Sequence, residues 1–244
     1  MNTNEQIKKF IDTSYDDFVP TYNNIQFLHN YTGCNDYRLS NILIKSTWDY
    51  IVSEIFPTSK SGITSENPNY IKCLHTNSGA GKFLELAPQY LDITSFNTDK
   101  YCSFITDAVC NDRASKNLYN SYIRDLSDYF VATFIGDNDK YNIVITQPFD
   151  SKKDKVTEDE INYNEIDYNT EYSKMPPLEY YPKRAAEFLY DGGILCVVVG
   201  GKNNANVKNS LRDVNGLSFI KEISFNNDNE YQVLIYKKGN YGNE

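Results

Sequence analysis

The chain is poor in histidine, methionine and tryptophan, with two, two and one respectively in 244 residues. Each histidine, His29 and His75, is read as a hydrogen-bonded structural residue before it is read as a ligand or base. The five cysteines (Cys34, Cys73, Cys102, Cys110, Cys196) are odd in number, lack any C-x-x-C spacing, and in three cases fall in apolar runs. This pattern predicts neither a disulfide framework nor a zinc site, and no metal is expected elsewhere. Long hydrophobic runs are missing too. Nothing approaches the roughly 20 apolar residues of a membrane span, and the Asn-rich start does not resemble a signal peptide, so a soluble, intracellular chain is expected. Positive charge is short, with 24 Lys and Arg against 33 Asp and Glu and a net charge of −9. That balance counts against broad attachment to nucleic acid, which depends on cations displacing counterions along phosphates, and leaves room only for a local basic strip. There is no P-loop, because Gly79-Ala80-Gly81-Lys82 lacks both the longer spacer and the Ser or Thr after the lysine. No internal repeat of fixed period is present.

What the chain does have is enough apolar content, 40%, for one large core. A helical extension over residues 1–69 and an α/β domain over 70–244, forming one compact unit, suit its length. Asparagine and tyrosine are abundant, with 21 tyrosines. Such a composition is associated with AT-rich coding sources such as a phage, a large DNA virus or a low-GC bacterium.

Along the extension, Asn2 to Asp12 reads as a short helix with Ile7, Phe10 and Ile11 on one face. A longer helix is expected from Asp36, its plausible cap, to Pro57, with Leu39, Ile42, Leu43, Trp48, Ile51, Val52 and Ile55 at helical spacing. Thr58 to Asn69 is a loop. Strands are then expected at Tyr70–His75, Leu91–Asn97, Ser121–Leu126, Tyr141–Thr146 and Ile194–Val199. Helices are expected at Phe83–Tyr90, Asp99 to about Asp112, from Pro182 to Gly192-Gly193, and at Asn203–Val214. Tyr129–Ile135 is a helical or irregular apolar segment. The tract Asp150–Lys174, acidic and nearly free of aliphatic residues, reads as a solvated surface loop. Leu217–Phe225 and Tyr231–Lys237, flanking Asn226-Asn227-Asp228-Asn229, form a terminal hairpin. The alternation predicts an α/β, doubly wound, mostly parallel sheet with an antiparallel edge.

In such a sheet the ligand lies beyond the carboxyl ends of the strands, where two turns fall. The first is His75-Thr76-Asn77-Ser78-Gly79-Ala80-Gly81-Lys82-Phe83-Leu84, in which Gly79 and Gly81 permit a tight turn into a helix. The second is Thr146-Gln147-Pro148-Phe149.

These turns, their order and the hairpin resemble the S-adenosylmethionine-dependent methyltransferases, particularly the DNA adenine-amino methyltransferases of restriction–modification systems, over about Tyr70 to Lys238. The resemblance implies a seven-stranded sheet and a cofactor loop of the form D-P-x-x-G-x-G-x-F-L. Here the glycines, Phe83 and Leu84 are kept, while His75 and Thr76 replace the acid and proline. It places Asn97 where the family has a ribose-binding acid, with Asp99 two residues on, and Asp125 where an acid meets the cofactor's adenine. Thr146, Gln147, Pro148 and Phe149 match the family's catalytic Asp/Asn/Ser-Pro-Pro-Tyr/Phe. In that turn an aromatic ring stacks on a flipped adenine while oxygen acceptors orient its amine. Asp191-Gly192-Gly193-Ile194-Leu195 resembles the family's entry to its fifth strand.

Two readings follow. One is an active adenine methyltransferase, with His75, Gly79, Gly81, Asn97 and Asp125 on S-adenosylmethionine, Thr146 to Phe149 on the base, and DNA as partner. The other is favoured by the departures at His75, Asn97, Thr146 and Gln147: a protein that keeps the fold without the reaction or the cofactor. It would serve as a structural or assembly component with protein partners and no membrane, in a host cytoplasm or a virus particle.

Overall fold

Tyr141–Thr146 (β4) is buried at five of its six positions, because a strand covered on both faces needs apolar side chains at odd and even positions alike. It lies mid-sheet. In the computed structural model, which describes residues 1–15, 18–34, 36, 38–55, 71–88, 91–97, 99–111, 119–123, 140–148, 176–225 and 231–239, β4 pairs in parallel with β1 (Ile71–Thr76) and with β5 (Leu189–Gly200). Beyond β1 come β2 (Leu91–Asn97) and β3 (Tyr119–Ile123), both parallel. On the other side β7 (Tyr231–Lys238) runs antiparallel to β5, and β6 (Leu217–Ile223) antiparallel to β7. The strand order is β3-β2-β1-β4-β5-β7-β6, a mixed α/β sheet that is mostly parallel with antiparallel C-terminal strands.

Side chains alternate across the sheet, so each strand serves two layers. Cys73, Ile143, Ile145, Cys196, Val233 and Ile235 meet Leu43, Trp48 and Ile51 of α3 (Asn41–Ile55) and Phe83 and Leu84 of α4 (Lys82–Glu85). On the opposite face Leu74, Val144, Leu195, Val197 and Leu234 meet Tyr181, Ala185, Val207 and Leu211 from α6 (Pro177–Glu187) and α7 (Asn204–Leu211). A third cluster joins α1 (Thr3–Ser14) and α2 (Tyr22–Leu28) to α5 (Lys100–Asn111). There Ile7, Ile11, Leu28 and Tyr31 pack on Tyr101, Ile105, Val109 and Ala80. No helix among the described residues is long and apolar enough to cross a membrane.

Several local expectations need correction. The α3 helix starts at Asn41 rather than Asp36, and Ser40 caps it by accepting the Leu43 N–H at 3.2 Å. The α4 helix stops at Glu85 after a single turn, since Pro88 lacks an N–H and disfavours helical backbone before it. The α6 helix begins at Pro177, a first-turn position that tolerates proline, so Pro182 lies inside the helix and not at its start. It ends before Gly192 and Gly193, which fall within β5 at a register shift opposite Tyr141 and Ile143. The third strand spans Tyr119–Ile123, starting two residues before the expected Ser121, and residues 124–126 lie outside the described residues. Thr58–Asn69, Tyr129–Ile135, Asp150–Lys174 and Asn226–Asn229 lie outside the described residues.

Candidate cofactor site

At the end of β1 the chain turns through three left-handed residues, Asn77 (φ 54°), Gly79 (φ 62°) and Gly81 (φ 77°). Gly81 is required twice over. A side chain there would be strained by that φ, and its Cβ would meet Thr106 Cα on α5 at 3.2 Å. The glycine turn is therefore pressed against α5, and its residues are buried.

A loop of this kind normally offers unpaired N–H groups to a ligand. Here each main-chain N–H from Ser78 to Lys82 has a partner within the chain. Ser78 donates to the Phe96 carbonyl at 3.1 Å and Gly81 to the Ser78 carbonyl at 3.0 Å. Gly79 donates to Asn97 Oδ1 at 2.9 Å. Ala80 and Lys82 donate to the two carboxylate oxygens of Asp36, at 2.6 and 3.0 Å. Asp36 is fully buried, and desolvation pushes its carboxyl up to about 6 against the opposing pull of those N–H bonds.

Asn97, at the carboxyl end of β2, turns back into the loop. Its Nδ2 donates to Ser78 Oγ at 2.8 Å and to Thr106 Oγ1 at 3.2 Å, while Thr106 Oγ1 donates to the Gly79 carbonyl at 2.8 Å. The amide thus ties β2, the glycine turn and α5 into one knot, with both its polar atoms engaged. Asp99 caps α5 by accepting the Cys102 N–H at 2.7 Å.

The second turn lies beside the first because Thr76 and Thr146 are paired in register. Thr76 Oγ1 donates to Thr146 Oγ1 at 2.7 Å, and Asn77 Nδ2 donates to the Gln147 carbonyl at 3.4 Å. Thr146 and Gln147 are buried. Pro148 follows them, while Phe149 and Asp125 lie outside the described residues. His75 is packed into the α3–α4 layer, edge-on to Phe83 at 5.8 Å, in register with Ser95 and Ile145. Neither ring nitrogen has a hydrogen-bond partner among the described residues, and burial lowers the imidazole to about 3, so it is neutral. The reading of His75 as a hydrogen-bonded structural residue is corrected to that extent.

The structure thus gathers His75, Gly79, Gly81, Asn97, Thr146 and Gln147 at the carboxyl ends of β1, β2 and β4. It adds two residues that the sequence reading did not assign to the site. Thr106 had a signal, a polar side chain on the buried face of α5 between Cys102 and Val109. Asp36 had none, since its partners lie 44 and 46 positions away. The expectation of no disulfide framework needs a correction at one pair. Cys34 and Cys102 are disulfide-bonded with their Cα atoms 5.8 Å apart, although 68 positions separate them and no local spacing announces the pair. Cys73, Cys110 and Cys196 are free and buried. Among the described residues no group of His, Cys, Asp and Glu could hold a metal ion.

No family model matches the sequence, and no curated protein matches it. Solved structures do resemble it in fold. A protein from Listeria monocytogenes assigned to the class I S-adenosylmethionine-dependent methyltransferases superposes with a TM-score of 0.53 at 11% identity, over 99% of this chain and 80% of that one. Magnesium protoporphyrin IX methyltransferase from Synechocystis PCC 6803, with bound S-adenosylmethionine, gives 0.51 at 15% identity over 98% of both chains. An N-methyltransferase from Bradyrhizobium japonicum gives 0.51 at 10% identity over 82% and 99%. Together with the strand order and the glycine turn, these likenesses show that the chain has the fold of the class I S-adenosylmethionine-dependent methyltransferases.

Proposed function

We propose that this chain is a methyltransferase-fold protein that does not carry out methyl transfer and serves as a structural or assembly component, with other proteins as its partners. The observation that carries the reading is the internal saturation of the glycine turn, in which every N–H from Ser78 to Lys82 is held by Asp36, Asn97 or main-chain carbonyls. The residues present do not fit S-adenosylmethionine. A carboxylate of the chain sits on the turn's amides, and the residue at the ribose-binding position is an amide whose atoms are committed to the turn. A fold by itself does not confer a reaction. The abundance of tyrosine and asparagine suits polar contacts between proteins, and a virus particle is one assembly to which this proposal extends.

Calorimetric titration with S-adenosylmethionine tests the proposal. No binding is expected up to millimolar ligand, and micromolar binding would overturn it. A second reading, an adenine-amino DNA methyltransferase, draws support from the adjacency of the two turns through the Thr76–Thr146 and Asn77–Gln147 bonds. Under that reading Thr146, Gln147, Pro148 and Phe149 receive the base, His75, Gly79, Gly81, Asn97 and Asp125 face the cofactor, and labelled methyl groups appear on adenine-containing DNA.

A further inference from the structure

We propose that Cys34 and Cys102 form a redox latch that holds Asp36 on the glycine turn when oxidised and lets it leave when reduced. Cys34 lies two residues before Asp36, and Cys102 lies on α5, the helix against which the turn is pressed. One turn further along α5, Thr106 contacts the Gly81 position and bonds the Gly79 carbonyl. The disulfide therefore staples the segment carrying the carboxylate to the helix that forms the floor of the turn. Two independent contacts, one covalent and one a pair of hydrogen bonds from main-chain N–H groups to the carboxylate, converge on the same few residues.

Besides the bond, the segment meets the turn through the Asp36 carboxylate and through the cluster in which Tyr31 and Cys34 pack with Ala80 and Tyr101. The carboxylate is fully buried, and its charged form gains by returning to water. The apolar packing of Ile7, Ile11 and Leu28 on α5 remains in either state, so release is a local opening and not unfolding of the sheet.

The chemistry is ordinary thiol–disulfide exchange with a low-molecular-weight disulfide such as oxidised glutathione. One cysteine thiolate attacks it and expels a small thiolate. The second cysteine thiolate then attacks the mixed disulfide, forming the Cys34–Cys102 bond and expelling the second small thiolate. Two electrons pass to the small disulfide, and the two protons lost by the cysteines are taken up by the departing thiolates. A dithiol reverses the sequence. Where thiols are kept reduced the latch would stand open, and it would close on transfer to an oxidising compartment.

The inference rests on the sealed turn described above, and hydrogen exchange of the full chain tests it without any cofactor. Denatured under non-reducing conditions after treatment with oxidised glutathione, the protein should show three free thiols, and five would overturn the proposal. In the native protein, exchange in a peptide covering residues 76–86 should be at least tenfold faster after dithiol reduction, with peptides from β4, β5 and β7 unchanged. Cys34→Ser should show the same acceleration without reductant. Equal exchange in all forms, or acceleration spread evenly over the sheet, would overturn the latch. Binding of S-adenosylmethionine to the oxidised protein would instead sink the proposed lack of turnover and leave the exchange difference standing.

Discussion

Asn97 and Gly79, eighteen positions apart, are joined by a 2.9 Å bond from the glycine N–H to the side-chain Oδ1 of Asn97, at the position where the methyltransferase resemblance expects a ribose-binding acid. The bond makes Asn97 a fastener of the turn, and its amide group donates at the same time to Ser78 and Thr106.

Replacing Asn97 tests that role. Asn97→Ala leaves the buried Gly79 N–H unpaired and should cost about 1–3 kcal/mol, read from urea denaturation. Asn97→Asp restores the acid but removes the donor to Ser78 and Thr106 and buries a charge, so it too should destabilise. It should not create affinity for S-adenosylmethionine. Micromolar binding by Asn97→Asp would show that the amide was the only obstacle.

Asp36 gives a pH signature. Burial raises its carboxyl from 3.8 to about 6, so the folded state favours the protonated form. Its contribution to stability is therefore complete below about pH 4 and is lost as pH rises through about 6, a change of up to about 3 kcal/mol. Unfolding free energies of wild type and Asp36→Asn, measured at intervals across that window, should diverge in slope. Parallel curves would mean that the carboxyl is not held as described.

These residues also show what the sequence made legible. Tyr141–Thr146 and Leu91–Asn97 are strands over the expected residues: the first carries the apolar run Ile143-Val144-Ile145, buried on both faces, and the second alternates buried Leu91 and Ile93 with half-buried Asp92 and Thr94. The glycine turn was legible for a similar reason, since positive φ at Gly79 and Gly81 is a local demand met by a local residue type. Asp36 looked like a cap for the helix that follows it, and it does cap backbone N–H groups, but those of Ala80 and Lys82. A carboxylate's preference for such groups is written in its chemistry, whereas which N–H groups reach it is decided by tertiary packing. The Cys34–Cys102 pair is illegible for the same reason, and Pro182 misled because Pro176 and Pro177 had already started the helix.

Trp48, the only tryptophan, reports on the seat of α4. Its indole N–H donates to the Phe83 carbonyl at 2.8 Å, and its ring lies against that of Phe83 at 6.4 Å. Trp48→Phe keeps the ring contact and removes the donor, leaving a buried carbonyl, so a loss of about 1–3 kcal/mol is expected in urea denaturation. The bond also makes Trp48 emission a monitor of the turn. Reduction of Cys34–Cys102 should change it only if opening at Ala80 spreads to Phe83, and Trp48 fluorescence recorded with and without dithiol decides this.

His75 should act with the opposite sign to Asp36. Its imidazole is buried without a hydrogen-bond partner among the described residues and is lowered from 6.5 to about 3, so the fold requires the neutral ring. The stability it contributes is present above about pH 6.5 and is lost as pH falls toward about 3, by up to about 5 kcal/mol. Between about pH 4 and 6 the two groups pull against each other, and wild-type stability should vary less than either single variant. His75→Leu removes the titrating ring from an apolar setting beside Phe83 and Ile145. It should be more stable than wild type at about pH 4.5 by a margin that shrinks toward pH 7. Urea denaturation of both proteins at those two pH values measures the margin, and a margin that stays constant would mean that His75 does not titrate on unfolding.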